Sequence, residues 1–215
     1  MRLAVFDCDG TLVDGQHDIV AAMVEAFASL GLPVPERQAI RRVVGLSLPQ
    51  AVGKLAPALD GAIRHGLVEA YKQDYRRARE EGRIGEPLYA GIRDMLDSLR
   101  AAGWDLAVAT VKSYRGLAHC LATHGLSGHF ASLQTADRHP SKPHPAMLQA
   151  ALDQTMALAE NSVMIGDTSF DMAMAQAAGV RAIGVAWGYH SVNELIGAGA
   201  QAVAQTPAQL LEMLA

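Results

Sequence analysis

The sequence predicts an α/β protein whose parallel sheet is interrupted once, early, by an all-helical insert. Short apolar runs of strand type at residues 3–6, 106–109 and 163–165 each end in polar residues. Residues 18–81 show helical periodicity and no strand. From Pro87 onward helix and strand patterns alternate, as βα units on a parallel sheet do.

The elements follow in order. Leu3, Ala4, Val5 and Phe6 form the first strand. A helix begins at about Asp18, where Ile19, Ala22, Met23, Ala26, Phe27 and Leu30 recur at the spacing of one helix face, and Gly31 with Pro33 ends it. A second short helix covers 36–44 and is broken by Gly45. Ser47 caps a third that starts near Pro49, and a fourth spans 61–81. Gly82 and Gly85 supply a flexible return. There follow helix 88–102, strand 105–109, helix 113–124, a strand near 129–133, helix 145–152, strand 162–166, helix 169–178, strand 181–185 and a last strand at 202–204. There is no internal repeat, low-complexity tract or long linker.

Composition narrows the function classes. The chain has 215 residues, half of them hydrophobic, and a formal charge of -4 with no long basic run. It therefore lacks the footprint of a nucleic-acid or anionic-membrane binder. Met1 leads directly into a strand without a signal-type apolar segment, which predicts a cytoplasmic protein. Cys8 and Cys120 belong to no Cys-x-x-Cys pair, so neither a disulfide framework nor a zinc site is indicated.

The chemistry lies at the strand ends. Asp7 and Asp9 close the first strand two residues apart, and in strand geometry both face one pocket. Two unit charges about 4 Å apart repel by roughly 4 kcal/mol at an effective dielectric near 20, so a cation, a lysine or a held proton must offset them. Further along, Thr110 ends one strand, Lys142 precedes a helix, and Asp167 and Asp171 follow another strand. In open parallel α/β sheets ligands bind outside the carboxyl ends of the strands. Carboxylates with threonine and lysine suit a phosphate and a divalent metal held together. Asp167 and Asp171, four apart, share a face if their segment is helical. His139 and His144 bracket Lys142, but a carboxylate set favours a hard cation that prefers oxygen to imidazole. Arg76, Arg77 and Arg79, with Glu80 and Glu81, read as a solvated helix face.

The ordered set Asp7-Cys8-Asp9-Gly10-Thr11-Leu12-Val13-Asp14, Thr110, Lys142-Pro143-His144-Pro145 and Gly166-Asp167-Thr168-Ser169-Phe170-Asp171 resembles the phosphatases of the haloacid dehalogenase-like superfamily. The insert, and the stretch Gly184-Val185-Ala186-Trp187-Gly188-Tyr189, are similar to the phosphoglycolate phosphatase-like branch. The resemblance implies a Rossmann-like core of residues 1–14 and 86–215 and a helical cap of residues 15–85. It implies a Mg²⁺-dependent hydrolase of a small phosphorylated metabolite, acting as monomer or homodimer. Asp7 would be the nucleophile, and Asp9 the acid and base. Thr110 and Lys142 would hold the phosphoryl oxygens together with backbone amides at Cys8 and Val111. Mg²⁺ would be held by Asp7, the main-chain carbonyl of Asp9, Asp167 and, directly or through water, Asp171. With a proton on Asp9, three carboxylates would then face Mg²⁺ and Lys142, three charges of each sign.

The pattern departs from the family in places. Val111 stands where many relatives carry Asn, removing a side-chain donor. Gly45-Leu46-Ser47-Leu48 lacks the basic residue that sugar phosphomutases place in this loop, whereas Asp9 separates the chain from dehalogenase and phosphonate-cleaving relatives. Phosphoglycolate is the leading substrate by resemblance, with pyrophosphate, nucleotides and sugar phosphates as alternatives. Arg41, Arg42 and Ser47 are candidates to meet a substrate carboxylate. A non-catalytic binding module is the alternative of a different class, although it would be expected to have lost one of Asp7, Asp9, Lys142 and Asp167.

Overall fold

The computed structural model describes residues 1–215. Six strands form one parallel sheet: β1 (Arg2–Phe6), β2 (Trp104–Thr110), β3 (Ser132–Thr135), β4 (Ser162–Gly166), β5 (Arg181–Val185) and β6 (Ala202–Ala204). Their order is β3-β2-β1-β4-β5-β6. The chain thus winds outward from β1, first one way and then the other. Phe6 pairs with Val108 on one side and with Ile165 on the other, which levels the carboxyl ends of the three central strands.

Alternation along the strands builds two cores. Ala4 and Phe6 of β1, Leu106 and Val108 of β2, and Val163 and Ile165 of β4 face one layer. Leu3, Val5, Ala107, Ala109 and Met164 face the other. Helices α5 (Ile92–Ala101), α6 (Tyr114–Thr123) and α10 (Pro207–Leu214) cover the first face, and α7 (Ala146–Thr155), α8 (Ser169–Ala177) and α9 (Val192–Gly197) cover the second. Burial on both faces is the usual condition of a parallel sheet. The chain is an α/β protein with a Rossmann-like core sheet.

Between β1 and α5 the chain forms α1 (Gln16–Ser29), α2 (Arg37–Val43), α3 (Leu48–Leu55) and α4 (Gly61–Glu80). These helices have a hydrophobic cluster of their own, in which Val20, Met23 and Phe27 meet Ile40, Val52, Leu67 and Val68. The chain leaves the sheet and returns to it along adjacent paths: Asp14 N–H donates to the Pro87 carbonyl at 2.9 Å, and Tyr89 N–H to that of Leu12 at 3.1 Å. No helix is long and apolar enough to cross a membrane.

Several boundaries differ from the sequence reading. The helix predicted to start at residue 88 starts at Ile92, because residues 87–89 pair with residues 12–14 and Gly91 turns the chain with φ +85°. The strand expected near 129–133 lies at Ser132–Thr135, after a turn in which His129 N–H donates to the Leu126 carbonyl. Helices α9 and α10 were not anticipated. Ser191 and Glu194 form a capping box on the first, and Thr206 caps the second ahead of Pro207.

Leu96 is fully buried between α5 and the sheet. Leu96→Ala is expected to lower the unfolding free energy by about 2–5 kcal/mol, the usual cost of such a cavity, in urea denaturation followed by far-UV circular dichroism. A loss below about 1 kcal/mol would contradict the packing described.

Candidate active site

The strand order reverses between β1 and β4, and the residues just beyond these two strands occupy that switch point. Asp7 follows β1 and Asp167 follows β4; both are buried, as is Asp171. One carboxylate oxygen from each of the three lies within 4.8 Å of the others. Lys142, with no exposed surface, enters from the loop before α7 and places Nζ 2.9 Å from Asp7 Oδ1 and 2.6 Å from Asp171 Oδ1.

Asp167 and Asp171 do not lie on one helix, so the condition under which the sequence placed them on a shared face is not met. Asp167 precedes the helix, and Thr168 is the N-cap of α8. The turn brings Asp171 back as the third helical residue. Its Oδ2 accepts from the Thr168 amide at 3.0 Å and the Thr168 hydroxyl at 2.7 Å, closing a capping box. Its Oδ1 is thereby aimed at Lys142. Asp167 is fixed from two sides, by the Thr11 hydroxyl at 2.9 Å and the Tyr189 amide at 2.9 Å.

Such approach distances require missing side chains. A Cβ on Gly188 would lie 2.2 Å from Asp167 Cβ, and one on Gly10 would lie 2.2 Å from Asp167 Oδ2, at a backbone φ of +87°. Both positions demand glycine on contact grounds, and Gly10 on conformational grounds as well.

Burial pushes the Asp7 pKa up to about 6; Lys142 opposes the shift and Asp171 adds to it. Burial, then Asp7 and Asp171, push Asp167 well above the carboxylate range. Burial works against the Lys142 ammonium, but Asp171 and Asp7 outweigh it and raise its pKa. Three carboxyl groups thus crowd around one ammonium, and the residual negative charge on an all-oxygen donor set fits a hard divalent cation.

Asp9 stands apart from this cluster. Its carboxylate accepts from Lys112 Nζ at 2.7 and 3.0 Å, and Lys112 also reaches Glu86 Oε1 at 2.8 Å. Glu86 accepts in turn from the Tyr75 hydroxyl of α4. The charge balance read from the sequence counted one lysine; the structure adds a second, so Asp7 and Asp9 take separate lysines. Lys112 and Glu86 were missed. The signal for Lys112 was its place two residues beyond Thr110, on the same strand end.

The other candidates fall as follows. Thr110 is fully buried, and its hydroxyl accepts from the Lys112 amide at 3.3 Å. The Cys8 amide donates to Asp7 Oδ1 at 2.7 Å. Val111 lines a cavity of about 550 Å³ between the helical segment and the sheet, as do Asp9, Lys112 and Ser47. Ser47 N–H donates to Ser141 Oγ at 2.7 Å, beside Lys142. Arg42 pairs with Glu194 near the surface and Arg41 borders a separate cleft, so neither lines the cavity. Arg76 and Arg79 do line it, which corrects the reading of a wholly solvated face. His139 meets Gln134, and His144 accepts from the Ala146 amide.

A family model of haloacid dehalogenase-like hydrolases matches residues 4–185. Over 209 residues the chain is 36% identical to a protein of Dickeya dadantii named "Probable phosphatase IndB", covering 95% of this chain and 89% of that one. It is 32% identical over 192 residues to a phosphoglycolate phosphatase of Pseudomonas syringae pv. syringae, covering 88% of this chain and 71% of the relative. The crystal structure of a hydrolase from Pseudomonas syringae superimposes with a TM-score of 0.87 at 26% identity, over 100% of this chain and 98% of the other.

In metal-free protein Asp7 holds its proton to about pH 6, whereas the unfolded chain releases it near 3.8. The native state binds more protons between these values, so the Asp7 contribution to stability is full below about pH 4 and is lost as pH rises through 6. That contribution is roughly 3 kcal/mol. Urea denaturation of chelator-treated protein is expected to show this decline from pH 4 to 7, and Asp7→Asn to lessen it, with the decline due to Asp167 remaining. A profile identical in the two proteins would contradict the assignment.

Proposed function

The chain belongs to the haloacid dehalogenase-like hydrolases, and we propose that it is a Mg²⁺-dependent phosphatase of a small phosphate monoester. The observation that carries this reading is the buried Asp7, Asp167 and Asp171 cluster around Lys142, with Asp9 nearby on the wall of the cavity. Likeness to a relative named phosphoglycolate phosphatase makes phosphoglycolate the first ester to assay.

The residues divide the work as follows. Lys142 and the Cys8 amide both hold Asp7 Oδ1, so Oδ2 is the oxygen without a protein donor and serves as nucleophile. It attacks phosphorus as the ester P–O bond breaks, and the departing alkoxide takes a proton from Asp9. Asp9, now a carboxylate beside Lys112, accepts a proton from the water that attacks the aspartyl-phosphate. Phosphate leaves, Asp7 is restored, and Asp9 holds the proton for the next cycle. Asp7, the Asp9 carbonyl, Asp167 and Asp171 would hold Mg²⁺, which when bound supplies charge neutralisation for the phosphoryl group. Lys142 and backbone amides near Cys8 and Val111 support the phosphoryl oxygens, and Thr110 acts through the Lys112 amide.

Residues 15–85 form the cap and residues 1–14 and 86–215 the core in this reading. Gly82, with φ +67°, and Gly85, whose amide donates to Asp18 at 2.9 Å, lie at the return crossing. Closure of the cap excludes water from the aspartyl ester.

Asp7→Asn is expected to retain the fold and lose turnover by about a thousandfold or more, measured as phosphate release from a panel of monoesters in Mg²⁺. Turnover within tenfold of the native protein would overturn the nucleophile. In the same assay EDTA is expected to abolish activity and Mg²⁺ to restore it, whereas Ca²⁺, which takes more oxygen ligands at longer range, restores little. Full activity in EDTA would remove the metal from the reading.

A further inference from the structure

Resting on the phosphatase reading, we propose that the preferred ester carries an apolar body and a second anionic group on its alcohol side, and that Arg79 reads that anion. The cavity measures about 550 Å³, within the range of about 300–1,000 Å³ that holds drug-sized molecules. A two-carbon leaving group fills little of it. Its walls are apolar where α1, α2 and the following loop contribute Ile19, Met23, Ile40, Val44 and Leu46. That surface suits carbon.

The same cavity is lined by Arg76, Arg79 and Arg115. None of the three joins an ion pair, although nearby Arg77 is paired with Asp74 and Arg83 with Glu81. Arg79 is the most constrained of them. Its Nε is sealed from solvent without a hydrogen-bond partner. Its guanidinium lies 5.3 Å over the Tyr75 ring, and a Cβ on Gly116 would sit 3.6 Å from its Nη2. The acidic residues of the cavity are otherwise engaged or open to water: Asp9 is held by Lys112, Asp137 accepts from the Thr135 hydroxyl and the Tyr114 amide, and Glu80 is exposed.

A guanidinium offers a planar fork that matches a carboxylate or phosphate, and a buried donor without an acceptor is costly until one arrives. Tyr75, under Arg79, is linked through Glu86 and Lys112 to Asp9. The anion subsite therefore adjoins the group that protonates the leaving alcohol. It is separate from the Lys142 cluster that takes the phosphoryl group.

The test compares p-tolyl phosphate with 4-(carboxymethyl)phenyl phosphate and 4-(phosphonomethyl)phenyl phosphate, which share a leaving group and differ in the tail, alongside phosphoglycolate. In native protein with Mg²⁺, kcat/KM for one of the anionic esters is expected to exceed that of p-tolyl phosphate at least tenfold. The ester that gains identifies the anion as carboxylate or phosphoryl. In Arg79→Gln that ratio is expected to fall to near one, with Arg79→Lys between. Because both esters are measured on one preparation, the ratio is independent of folded fraction. A native ratio near one, a ratio unchanged in Arg79→Gln, or a preference for phosphoglycolate over all three aryl esters would overturn the proposal while leaving the phosphatase reading intact. Calorimetric titration of the same esters into Asp7→Asn separates the two ideas. Tail-dependent binding that Arg79→Gln abolishes, together with native protein that hydrolyses none of the esters in Mg²⁺, would sustain the subsite and overturn the phosphatase.

Discussion

Three carboxyl groups and one ammonium share a buried volume at the ends of β1 and β4. Charges 4.8 Å apart repel by roughly 3 kcal/mol per pair at an effective dielectric near 20, so the site persists only where donors are assigned to each oxygen. Thr11 and the Tyr189 amide serve Asp167, Thr168 serves Asp171, and the Cys8 amide serves Asp7. The surrounding sequence follows from that requirement. Gly10 and Gly188 stand where any side chain would strike Asp167, and Thr168 is at once helix cap and carboxylate donor. A hydrophobic sheet of this kind is ordinary; the unusual demand is to hold charge at its edge in one geometry.

The strands other than β3, which reads Ser-Leu-Gln-Thr, were legible because each is a short, mainly apolar run bounded by turn residues, and β4, β5 and β6 lie at the residues read from the sequence. The acidic residues were legible because charged groups at the end of a buried strand are rare unless they are paired or hold an ion, and Lys142 because Pro143 and Pro145 mark a helix start just after it. Lys112 was not, since its partner Asp9 is 103 residues away and local patterning carries no trace of that pairing. Arg79 was hidden for a related reason. Its neighbours Arg76, Arg77, Glu80 and Glu81 make an exposed helix end, and only its guanidinium's place over the Tyr75 ring, near Gly116 and on the cavity wall, singles it out. Helices α9 and α10 were missed although their caps can be read from Ser191, Glu194, Thr206 and Pro207.

The helical segment is built differently from the sheet. Its main hydrophobic cluster involves no residue of the sheet cores. Its links to the rest of the chain combine a small apolar contact, Phe170 of α8 against Val43, Leu46 and Ala51, with polar ones: Arg42 pairs with Glu194, Ser47 meets Ser141, and Tyr75 meets Glu86. Contacts of this kind hold a surface in register with little apolar burial, and they leave the space between segment and sheet available to a ligand.

The Tyr75, Glu86, Lys112 and Asp9 chain bears on how such a protein can be recombined. The backbone crosses between helical segment and sheet at residues 12–14 and 87–89, and a cut there looks like a natural seam. The side chains do not respect it. Glu86 sits at the seam and is shared by a tyrosine from α4 and a lysine from the end of β2. A chimera that imports a foreign helical segment without a hydroxyl in the place of Tyr75 removes one of the two donors to Glu86 Oε1, and leaves as the other the lysine that orients Asp9. The unit of exchange is therefore larger than the inserted helices: it includes Glu86 and Lys112, which the chain order assigns to the other part.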